Sequence, residues 1–207
     1  ENNIAIGYSA ANGFDTENDN LAIGTDAIGG SVAGGEFNVA IGNLSLDALT
    51  SADKNVAIGY KAGSALTTGG SNTFVGHQSN SVGVTTGDFN SGFGMETFKA
   101  LTSGDENVAI GYQAGTAHTT AGNNIYIGVL AGAAVTTGGN NILVGHRAGD
   151  AFDTEGNNMG IGNGSLGGAV AGGEYNVAVG NFTLDALTSG DNNTAVGYES
   201  GTAITTA

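Results

Sequence analysis

The chain has 207 residues, with 39 glycines, no cysteine, proline or tryptophan, and four Lys and Arg against 19 Asp and Glu, a formal net charge of −15. Without cysteine there is neither a disulfide framework nor a thiolate metal site. Acidity on this scale argues against nucleic acid and against direct attraction to anionic lipid head groups, both of which select basic patches. No run approaches the ~20 apolar residues of a membrane-spanning helix, and the first residues lack a signal-peptide pattern.

The first element is the run Asn3-Ile4-Ala5-Ile6-Gly7. Close copies follow about every 17 residues to the end of the chain, and one extra residue enters at three places. A period of this length is the signature of a solenoid. An asparagine stands four places before the glycine of every copy: Asn3, Asn20, Asn38, Asn55, Asn72, Asn90, Asn107, Asn124, Asn141, Asn158, Asn176 and Asn193. An Asn in one corner of each stacked coil can build an amide ladder along the stack. The closing glycines, Gly59 and Gly111 among them, supply φ values or close backbone approach that other residues resist.

Between Asn and Gly the pattern is apolar, small, apolar, the period-2 alternation of a short strand with its larger side chains on one face. The second half of each copy, such as residues 62–70, reads as another β-tolerant segment entering a glycine-rich turn. Each coil is therefore expected to contain two short strands and two corners. A helical reading fails because each interior glycine costs a helix roughly 0.5 to 1 kcal/mol. A sandwich would not need Asn and Gly at one fixed spacing. The expectation is an all-β parallel β-solenoid of about twelve 17–18-residue coils, forming one repeat domain over residues 1–207 and a rod roughly 55 Å long at ~4.8 Å per coil. Neither end reads as a polar cap, which suggests a window of a longer rod or caps supplied by neighbouring subunits.

Longer features lie over the short period. Gly13-Phe14-Asp15-Thr16-Glu17 returns as Ala151-Phe152-Asp153-Thr154-Glu155, about eight coils later, as expected for a lengthened shaft. The three longer coils carry their extra residue before Val32, Val84 and Val170. Each is followed by a coil with Leu46, Phe98 or Leu184 in place of a glycine, so a bulge in one coil is expected to make room for a larger side chain in the next.

Carboxylates are the main candidates for chemistry. Glu36 and Asp53, Asp88 and Asp105, and Glu174 and Asp191 stand six places before the repeat glycine on adjacent coils. Two carboxylates about 5 Å apart repel unless water, a proton or a cation intervenes, and an oxygen-rich corner suits Ca²⁺. The plainer reading is a solvated turn in which Asp serves local hydrogen bonding. His77, His118 and His146 are too dispersed for a shared metal or proton-transfer site and read as variation at columns of mid-sized side chains. Threonine pairs such as Thr67-Thr68 and Thr119-Thr120 read as strand filling, with an ice-ordering, glycan-binding or glycosylated face as alternatives; nothing resembles a nucleophile with its base. The alanine column between the paired aliphatics is expected to face away from the coil interior. With Phe74, Tyr126 and Leu143 in the same column as Ala57 and Ala109, it is the expected subunit interface.

Asn-Val-Ala-Ile-Gly-Tyr-x-Ala at 55–62 and 107–114 resembles the head repeats of trimeric autotransporter adhesins of the YadA-like group, and equally the repeats of phage and virus tail fibres, seen in Asn193-Thr194-Ala195-Val196-Gly197-Tyr198. The resemblance covers essentially the whole chain, although adhesin head coils are shorter. It implies a left-handed parallel β-roll, three chains side by side, and adhesion to host surfaces. The functional expectation is a non-enzymatic shaft or receptor-facing body of an extracellular fibre at a cell or virion surface, self-associated as a homotrimer. A head-to-tail filament and a calcium-, glycan- or ice-binding module are the alternatives. A host receptor or glycan is an expected partner; nucleic acid and membrane insertion are not.

Overall fold

The computed structural model describes residues 2–14, 16–30, 34–168 and 172–206. It contains twelve strands of three residues: β1 (Ile4–Ile6), β2 (Leu21–Ile23), β3 (Val39–Ile41), β4 (Val56–Ile58), β5 (Thr73–Val75), β6 (Ser91–Phe93), β7 (Val108–Ile110), β8 (Ile125–Ile127), β9 (Ile142–Val144), β10 (Met159–Ile161), β11 (Val177–Val179) and β12 (Thr194–Val196). They form one sheet in chain order, each parallel to the next. This is a parallel β-solenoid, all-β among the described residues. Equivalent residues stack in register, Ala57 on Ala40 below and Phe74 above.

Among the described residues each coil holds one strand rather than the expected two. The half after the glycine is a run of turns, because backbone twisted into the left-handed region recurs there: Lys61 has φ 54° and Gly63 φ 61°. An extended segment cannot persist through alternate positive-φ residues. Leu66 and Thr85 form an isolated bridge in this half. The coils are nevertheless tied together on that side by backbone bonds such as Gly63 N–H to Ser79 O at 2.8 Å and Thr67 N–H to Thr85 O at 2.9 Å.

The closing glycine is set by stacking. At Gly59 φ is +132°, and a Cβ there would sit 2.6 Å from the carbonyl oxygen of Gly76 in the next coil. Both the backbone twist and the contact exclude a side chain.

The structure reverses the expected orientation of the strand residues. Ala57, Phe74, Ala109, Tyr126 and Leu143 are fully buried inside the coil, whereas Ile58, Ile110 and Ile127 on the same strands are 36–41% exposed. The tentative subunit interface on the alanine column is therefore corrected: those side chains are the core. The reason is the thinness of the coil. Between the strand and the turn opposite it space is short, so large side chains are offset by glycines in their own or the adjoining layer: a Cβ at Gly63 would lie 2.7 Å from Leu46 Cδ2 and 3.5 Å from Phe74 Cδ2. Tyr126 fills its layer because Gly132 faces it, where a Cβ would lie 2.5 Å from Tyr126 Cδ1. The core thus runs the length of the stack in several columns, the strand's central residue joined by turn-half residues such as Ala62 and Leu66, with large and small residues balanced between layers.

Of the three bulges, those before Val32 and Val170 lie outside the described residues. Near the third, Val84 is exposed, and Phe98 in the next coil is fully buried where the coils on either side carry Asn80 and Gly115.

Candidate functional site

The repeated asparagines form an uninterrupted buried spine. Asn107 is representative: its Oδ1 accepts the backbone N–H of Asn124 at 2.9 Å and the Asn124 side-chain amide at 3.0 Å. Its own Nδ2 donates to Asn90 Oδ1 at 3.0 Å and to Ala121 O at 3.0 Å. The Oδ1-to-backbone link continues at every step from Asn3 to Asn193. Each side chain turns the corner before a strand, satisfies backbone groups the turn leaves open, and joins two coils.

In the acidic corners the carboxylates serve the backbone as well. Asp53 Oδ1 accepts the N–H of Glu36 at 2.8 Å, Asp105 Oδ1 that of Asp88 at 2.8 Å, and Asp191 Oδ1 that of Glu174 at 2.9 Å. Asp88 Oδ1 in turn takes Gly70 N–H at 2.6 Å. One oxygen of each downstream carboxylate is thus engaged within the protein. Among the described residues, no three His, Cys, Asp or Glu side chains are gathered closely enough to hold a metal ion.

The histidines separate by environment. His77 stacks on Tyr60 at the surface, with ring centroids 5.2 Å apart, and His146 Nδ1 lies 3.2 Å from Asn163 Oδ1. His118 is buried in the core beside Phe98 and Tyr126. Its Nε2–H donates to Ala121 O at 2.7 Å, and Nδ1 accepts from the Tyr126 hydroxyl at 3.4 Å, which fixes the neutral tautomer. Burial lowers the His118 pKa and raises that of the Tyr126 phenol.

The threonine column is bonded internally. Thr67 Oγ1 donates to Thr85 O at 3.0 Å, Thr102 Oγ1 to Thr119 O at 3.0 Å, and Thr119 Oγ1 to Thr136 O at 2.9 Å. Each of these hydroxyl protons is spent on the next coil, whereas the second threonine of each pair, Thr68, Thr86, Thr120 and Thr137, is exposed.

Two buried carboxylates escaped sequence reasoning. Glu155 is 4% exposed and accepts the backbone N–H groups of Asp153, Thr154 and Gly172 at 2.7, 3.0 and 2.9 Å. Glu17 holds Thr16 N–H at 2.9 Å and Gly34 N–H at 2.8 Å in the same way. The Phe-Asp-Thr-Glu duplication marked both positions, but only the fold shows the acid turned inward to gather donors.

The largest unpartnered feature is the outer face of the sheet. Two aliphatic columns run along it, one through Leu21, Val39, Val56, Val108 and Ile125, the other through Ile23, Ile41, Ile58, Ile110 and Ile127. The residue after the glycine adds a third exposed column, including Tyr60, Tyr112, Val129 and Tyr198. No protein-family model, curated protein or solved structure matched the chain.

Proposed function

We propose that the chain is the shaft or receptor-facing body of an extracellular fibre at a cell or virion surface, and that it works as a homotrimer packed through the outer face of the sheet. The observation that carries this reading is the apolar outer face of the sheet, on which Ile6, Ile58, Phe93, Ile110, Ile127, Ile161 and Val196 are exposed. Twelve strands at ~4.8 Å and three residues at ~3.3 Å give the face a projected area of about 500 Å². That lies at the upper end of the ~300–600 Å² of the largest apolar patch on a typical monomer, and the neighbouring column adds tyrosines at Tyr60, Tyr112 and Tyr198 among polar residues such as Asn43 and Asn163.

A second copy of the chain is the natural cover, because only another stack with the same coil period can meet a face that repeats at ~4.8 Å over its whole length. The Asn-Val-Ala-Ile-Gly-Tyr resemblance supplies the number three. The work is mechanical. Axial backbone hydrogen bonds and the asparagine spine resist extension without disulfides, while lateral packing thickens a slender rod.

Light scattering after size exclusion of the 207-residue chain tests this. The expected result is one species at three chain masses. A monomer contradicts it, and a broad ladder of masses replaces the trimer with an end-to-end filament.

A further inference from the structure

We propose that the corner around Phe89 is a binding site for a cationic group, a guanidinium or primary ammonium presented by a partner chain. The inference starts from an aromatic ring that the fold does not need. Phe89 sits at a corner position where every described coil has positive φ, here 58°, and where most other coils place Asn, Asp, Ser, Lys or Glu. Its side chain is 61% exposed, so it contributes little to the core. The neighbouring coils show that the corner folds with polar residues there, Ser71 before and Glu106 after.

The ring stands between two shallow cavities. One, of about 390 Å³, is lined by Asp88, Phe89, Asp105, Glu106, Thr120 and Asn123 among others, a volume ample for a single side chain or small ligand. Its lining holds three carboxylates and no cationic side chain. The other, of about 290 Å³, shares Asp88 and Phe89 but contains Lys54. The first cavity therefore sets its own requirement. The negative face of an aromatic ring attracts a cation within about 6 Å of its centroid. Asp88 and Asp105 each accept a backbone N–H group on Oδ1, and a carboxylate has a second oxygen that can accept from a ligand. Glu106 adds a third charge. A planar guanidinium can stack on the ring while its edge donates to these oxygens. An anionic group is repelled, and a neutral sugar would leave the charge uncompensated. The same acid-aromatic pairing stands at Glu36-Phe37 and Glu174-Tyr175, where the rings are also exposed, so a multivalent cationic partner could bridge corners along the rod.

The test is an amide-shift titration of the whole chain with tetra-arginine amide at low and at 0.3 M salt, repeated on Phe89→Asn. Asn tolerates positive φ, so this variant keeps the fold. The expected result is shifts concentrated at Asp88, Phe89, Glu106 and Asn123, with affinity falling about three- to ten-fold in Phe89→Asn and part of the binding surviving salt. Shifts spread evenly over all acidic residues, with no effect of Phe89→Asn, would reduce the interaction to general attraction by the net charge and overturn the site. A response at this corner to a neutral oligosaccharide but not to tetra-arginine amide would overturn the cationic assignment in favour of a glycan.

Discussion

At the residue scale, the asparagine spine and the buried histidine carry the sharpest consequences. Asn107 bonds Asn90, Ala121 and both donors of Asn124, so Asn107→Ala strands buried backbone groups that water cannot reach. A cost of about 3 kcal/mol is expected, several times that of an ordinary surface change; the urea midpoint measures it. His118 gives a pH signature. Its folded-state pKa is held below the ordinary value of ~6.5 by burial. Above that pH the ring is neutral folded and unfolded, and stability does not depend on it. Below it the unfolded chain takes up a proton that the folded chain refuses, so stability falls by up to about 1.4 kcal/mol per pH unit until the folded-state pKa is reached. His118→Leu, which places there the residue found at Leu66, should flatten the loss of stability between pH 6.5 and 5.5, as read from urea melts of the two proteins at several pH values. An equal slope in both would show that the carboxylates alone set it.

At the scale of the coil, balance between layers replaces the strict repetition of a single core residue. Tyr126 is accommodated because Gly132 faces it, just as Leu143 is accommodated by Gly149, where a Cβ would lie 2.6 Å from Leu143 Cδ1. Gly132→Ala should cost about 3 kcal/mol, part from the clash and part from the left-handed backbone at φ +58°. Adding Tyr126→Leu should recover the steric part only, so thermal melts of the double variant should fall between the Gly132→Ala variant and the parent. The period, the asparagines and the closing glycines were legible in the sequence because each repeats a backbone requirement of the stack. The direction of the strand side chains was not. Alternation of Val56, Ala57 and Ile58 says that two faces differ, and hydrophobicity suggests that the larger pair is inside. The interior takes the central residue of each strand, Ala57 here and Phe74, Tyr126 or Leu143 in other coils, and the space it has is a property of the turns opposite the strand. Those turns also hid the absence of a second strand: Lys61 with positive φ looks in sequence like any surface residue.

At the scale of the whole molecule, the same inversion is what supports the proposed assembly. Burying the alanines leaves the isoleucines and valines outside, and an aliphatic face running the length of twelve strands needs a cover in water. At the acidic corners, spacing in sequence could not reveal that Asp53, Asp105 and Asp191 each accept a backbone N–H of the preceding coil. What remains at the corners is the aromatic ring at Phe89, whose exposure only the fold discloses.

The most direct measurement compares two neighbouring substitutions on β7, Ala109→Glu and Ile110→Glu, by light scattering and circular dichroism. Ala109 is fully buried and Ile110 is 41% exposed. The expected result is that Ala109→Glu fails to fold, since an unpaired charge enters a core with no room for it, whereas Ile110→Glu keeps the β spectrum and falls from three chain masses to one. An Ile110→Glu protein that keeps the parent mass would contradict the account, because association would then run through some other surface.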